Sequence, residues 1–100
     1  MFIIELTYTV SPAEIDSALA PHMVYLEKYY ESGHFFASGR KEPRDGGVIL
    51  ALASSRAEIE KIIAEDPFYQ NKMADYRIIE FKATRKTKKF AMIDADDYLH

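Results

Sequence analysis

Residues 2–10 carry an apolar side chain at every even position, Phe2, Ile4, Leu6, Tyr8 and Val10, with Glu5, Thr7 and Thr9 between them. A two-residue period puts all the apolar groups on one face, so the chain opens on a strand with one side in a core. Ser11-Pro12-Ala13-Glu14 follows at once. The serine hydroxyl can accept from a first-turn N–H, the proline stands where its missing N–H is not needed, and the glutamate can reach back, so a helix starts here. A strand that runs straight into a helix leaves few continuations. The rest of the chain must pair the strand's edges and give the helix a surface to cover.

Ile15, Leu19, His22, Leu26 and Tyr29 or Tyr30 recur at three- and four-residue spacing, and Gly33 can close a helix in the left-handed conformation, which predicts one helix over residues 12–32. Residues 34–39, with Phe35, Phe36 and Ala37, predict a second strand. A charged, turn-rich stretch follows, in which Gly46-Gly47 reads as a bend, and then residues 48–53 predict a third strand, apolar on both faces. Ser55-Arg56-Ala57-Glu58 is a second capping box, and Pro67 disfavours a helical residue before it, so that helix stops near Asp66. Residues 76–83 alternate as a final strand. The order β-α-β-β-α-β is the ferredoxin-like split of the α+β class, with a four-stranded antiparallel sheet and two helices on one face. The other sheet face is left open, and the apolar third strand predicts that a second copy of the chain covers it, making a homodimer. Phe90 is expected to close a domain over residues 1–90, with residues 91–100 as an acidic tail.

A chain of 100 residues, 48% of them hydrophobic, can fold as one domain without metal or disulfides. Cysteine is absent, which excludes thiolate chemistry and suits a reducing compartment, so a cytoplasmic protein is expected. No cationic leader and no apolar run near the ~20 residues of a membrane span is visible, and no membrane association is expected. The net charge of −3 argues against a nucleic-acid partner. Arg85, Lys86, Lys88 and Lys89 form the one basic cluster, with Asp94, Asp96 and Asp97 nearby as counter-charges, and read as a solvated end.

His22, on the apolar face of the first helix, and Asp66, in the tripeptide Asp66-Pro67-Phe68, are the acid/base pair the sequence offers. A carboxylate on one ring nitrogen fixes the tautomer of an imidazole and leaves the other nitrogen to move protons. Each residue also has a structural reading: His22 as a satisfied core residue, and Asp66 as the N-cap of a short turn through Phe68 and Tyr69. The two roles are compatible if one carboxylate oxygen caps and the other accepts from the imidazole. Ser38-Gly39, at a strand end, lets a ligand approach the backbone and offers Ser38 as a hydrogen-bond donor. Tyr25, Tyr29 and Tyr30 read as core or interface. His34 and His100 have no metal-ligand spacing, and no Gly-rich phosphate loop occurs, so neither metal nor cofactor is expected.

These residues resemble the YCII-related (YciI-like) family. The shared elements are Pro21-His22, Gly33 before a strand ending Ala37-Ser38-Gly39, the Gly46-Gly47 lead, Asp66-Pro67-Phe68 and the Lys88-Lys89-Phe90 end. The resemblance implies a dimeric α+β barrel whose active site is built around His22 and Asp66, with Ser38, Gly39, Arg40 and Phe68 at the same pocket. This chain has Leu19 where family members often carry arginine, and Arg40 where they often carry proline. Some members act on substituted aromatic compounds. The function expected is therefore a cofactor-independent small-molecule enzyme, a lyase, isomerase or dehalogenating eliminase, with a non-catalytic dimeric small-ligand-binding or interaction module and a purely structural His-Asp pair as the alternatives.

Overall fold

A computed structural model describes residues 1–90. The acidic tail expected over 91–100, and His100 with it, lie outside the described residues. The elements run β1 (Phe2–Tyr8), α1 (Pro12–Ser17), α2 (Leu19–Glu31), β2 (Phe35–Arg40), β3 (Gly46–Ala51), α3 (Arg56–Ile63), α4 (Pro67–Gln70) and β4 (Ala74–Glu80). The strands pair antiparallel in the order β2-β3-β1-β4, so β1 and β3 are central and the fold is ferredoxin-like.

Each helical crossing is broken in two, where the sequence predicted one continuous helix and one short capped turn. The first break falls at Ala18, with φ −106° and ψ 5°. Its cause lies downstream: Pro21 has no N–H for the Ser17 carbonyl, and its ring would crowd that carbonyl in a continuous helix. The second break is the one Pro67 predicts, and Asp66 caps the short α4 beyond it. Both expected capping serines are in place, Ser11 accepting from the Glu14 N–H and Ser55 from the Glu58 N–H. Gly33 closes α2 at φ 85°.

Register decides which residues face the helices. Phe2, Ile4 and Leu6 of β1 stand beside Ala51, Ile49 and Gly47 of β3, and against them pack Ile15, Tyr25, Leu26, Tyr29, Ile59, Ile62, Ile63 and Phe68. Burying such a side chain contributes roughly 1.5–3 kcal/mol, so this layer supplies most of the driving force. Gly46 and Gly47 lie within β3 rather than in a bend before it. A Cβ on Gly46 would stand 1.8 Å from the Leu6 carbonyl oxygen, which only a residue without a side chain avoids. Ile3, Val48 and Leu50 point to the opposite face and are half-buried, while Ile79 beside them is 37% exposed. A bulge at Phe36 turns the edge of β2, and the Phe36 ring meets Phe90 edge-on at 5.5 Å. Arg85, Lys86, Lys88 and Lys89 are exposed.

Candidate active site

The stripe that packs α2 on the sheet includes His22 in the first turn of that helix, where its N–H bonds the Ala18 carbonyl at 3.2 Å. Its side chain is 10% exposed. Nδ1 lies 2.8 Å from Oδ1 of Asp66, a residue with no exposed surface. The Phe68 ring is stacked on the imidazole, with centroids 4.0 Å apart and planes within 9°. A proline-started turn thus sets both the direction and the plane of the imidazole. Nε2 makes no hydrogen bond among the described residues, and it is the nitrogen left for chemistry.

Asp66 is held by more than the sequence implies. Oδ1 accepts from Nδ1 of His22 and also from the Phe68 N–H at 3.0 Å, so one oxygen carries both of the roles that were expected to be divided between two. Oδ2 accepts instead from the Tyr76 hydroxyl at 2.6 Å. Three donors satisfy a carboxylate that water cannot reach, which removes most of the penalty for burying it. Burial, then the nearby Asp66 charge and the hydrogen bond to it, push the Tyr76 hydroxyl well above the ordinary tyrosine range. Burial, and next the same carboxylate, push Tyr25 up as well. The Tyr25 hydroxyl is buried and has no hydrogen-bond partner among the described residues.

His22 forms part of the wall of a cavity of about 220 Å³ between α2 and the sheet. Ser38, Gly39, Arg40 and Phe68 line the same cavity, with Asp66 behind the imidazole, so the six residues singled out in the sequence meet in one place. Leu6, Leu19, Met23 and Leu26 make much of the rest apolar. Gly47 forms part of the floor on the helix-facing side, and its missing side chain helps to leave the space open. Ser38 is hydrogen-bonded to the Tyr30 hydroxyl, which gives that tyrosine a role beyond the core packing expected of it.

Sequence reasoning missed Tyr76. Its signal was a hydroxyl among the helix-facing positions Ala74, Tyr76 and Ile78 of β4, because a tyrosine turned toward a core needs a partner for its O–H. His34 lies elsewhere, between Ser32 at 2.6 Å and Glu58 at 3.1 Å. Among the described residues no three His, Cys, Asp or Glu side chains cluster as metal ligands, and no helix is long and apolar enough to cross a membrane.

The class defined by these features is a ferredoxin-like α+β domain with a buried His-Asp pair in the wall of a small cavity. The YCII-related domain model matches residues 1–82, and the chain belongs to that family. Among solved structures it is similar to 5-chloro-2-hydroxyhydroquinone dehydrochlorinase (TftG) from Burkholderia phenoliruptrix AC1100, in complex with 2,5-dihydroxybenzoquinone. The TM-score is 0.67 and the identity 16%, with 82% of this chain and 94% of that chain covered. At that identity the likeness is one of fold. No curated protein matches the chain.

Proposed function

We propose that the cavity is the active site of a cofactor-independent enzyme acting on a small ring compound, with His22 as general base and acid and Asp66 as the group that orients it. The observation that carries this reading is the 2.8 Å contact between Nδ1 of His22 and Asp66 in the wall of an otherwise largely apolar cavity. In an elimination, Nε2 takes a proton from the substrate, the freed electron pair becomes the new double bond, and the leaving group departs with its own pair. Asp66 accepts the hydrogen bond from the imidazolium so formed, and Nε2 later gives the proton to water. Such a step balances without oxidant or reductant, as does the isomerisation in which Nε2 returns the proton to a second position. The dehydrochlorinase with the same fold supports elimination from a halogenated hydroquinone.

Chloride release from a panel of chlorinated hydroquinones tests the reading. His22→Ala should lower turnover by about 10²- to 10⁴-fold while the fold persists. Full activity in that variant would sink the proposal, and binding without turnover by the wild type would assign the cavity to a ligand-binding module. The working form proposed is a homodimer joined through the open sheet face, where Ile3, Val48, Leu50 and Ile79 present apolar surface.

A further inference from the structure

The walls of the cavity differ in charge. The α2 wall supplies His22, whose buried partner Asp66 is saturated by three donors and has no exposed surface. The β2 wall supplies Ser38 and, at the strand end, Arg40. No aspartate or glutamate lines the cavity. Arg44, Arg56 and Arg77 each stand within ion-pair distance of a carboxylate, at 2.6, 3.5 and 3.9 Å, whereas Arg40 has no ion pair among the described residues. A guanidinium offers a planar fork of donors that matches a carboxylate, and here it belongs to a residue that lines a cavity whose other walls are largely apolar.

We infer that the cavity selects a monocyclic carboxylate, its anionic group held by Arg40 with Ser38 beside it and its ring lying toward His22 and Phe68. Size and charge limit the class together. A cavity of about 150 Å³ accepts benzene, so the 220 Å³ here suits one substituted ring. A single guanidinium matches one negative charge; a phosphate would leave more oxygens without donors. The inference rests on the proposed function for the role of His22 but not for the binding of the acid, which requires no proton transfer.

Calorimetric titration at low salt with benzoate and with its neutral isostere benzamide tests it. Benzoate should bind about tenfold or more tightly than benzamide, the effect of one charge-assisted hydrogen-bond pair at a partly exposed site. Arg40→Gln should abolish the difference, and Arg40→Lys should keep part of it. Arg40 is exposed, and the wild-type ratio needs no variant, so the outcome does not depend on a mutant folding. Equal binding of acid and amide, no binding of either, or a preference that survives Arg40→Gln overturns the inference. Failure of the proposed function would appear differently, as turnover that survives loss of His22.

Discussion

Replacing Tyr76 by phenylalanine removes one oxygen and leaves the ring in place, yet it strips Oδ2 of Asp66 of the one donor it has among the described residues. Asp66 has no exposed surface, so water cannot take the place of that donor without opening the structure. A hydrogen bond to a charged group is worth about 1.5–3 kcal/mol, and a buried acceptor left without a partner loses about that much. For a domain of this size 1 kcal/mol moves the melting temperature by roughly 4–8 °C, so Tyr76→Phe should lower Tm by about 6–24 °C. Urea unfolding followed by circular dichroism gives the free energy directly, with an unchanged m-value marking a pure stability effect. A cycle with Asp66→Asn isolates the contact, since a neutral amide has less to lose, and a coupling of at least about 0.5 kcal/mol is expected. A variant within about 0.5 kcal/mol of wild type that is also additive with Asp66→Asn would falsify the view that Tyr76 holds the carboxylate.

Alkaline stability follows from the same tyrosines. Tyr25 and Tyr76 are both raised in the folded state, so the stability they contribute is complete below the ordinary tyrosine range and is lost as pH rises above it. Above about pH 10 each should lower the unfolding free energy by about 1.4 kcal/mol per pH unit, and Tyr76→Phe should remove one such share from the slope measured by urea titration. For the open sheet face, Ile79→Asp should convert a dimer to a monomer in sedimentation velocity without unfolding it, because that side chain is already 37% exposed. A wild type that sediments as a monomer at micromolar concentration would refute the dimer.

What could be read in advance was whatever depends on near neighbours in the chain. The alternation of β1 and the two serine caps are local patterns with local causes, and they fix the order of elements from which the sheet topology follows. The break at Ala18 was not legible in the apolar spacing, because Ile15, Leu19 and His22 keep a helical period across it; the cause is a proline acting on a carbonyl four residues back. The Gly46-Gly47 pair looks like a bend because glycine favours bends, but here the requirement comes from Leu6, a residue on another strand. His22, Asp66, Ser38, Gly39, Arg40 and Phe68 could be named, the first four by their chemistry and the last two through a family pattern, yet their meeting depends on β2, α2 and α4 reaching the same end of the sheet. The sharing of Oδ1 and the contact with Tyr76 depend on side-chain geometry that no spacing encodes.

The Phe68 amide gives its hydrogen to the same oxygen that anchors His22. A four-residue helix has little stability of its own and leans on its cap and on the buried Phe68 side chain, so release of Oδ1 should loosen the turn at its first N–H groups. Deuterium uptake at that one backbone position is therefore a clock for the anchoring of the imidazole, readable in the resting protein with no substrate present. Variants that loosen the dyad should exchange there first, before their activity or their melting curve reports any change.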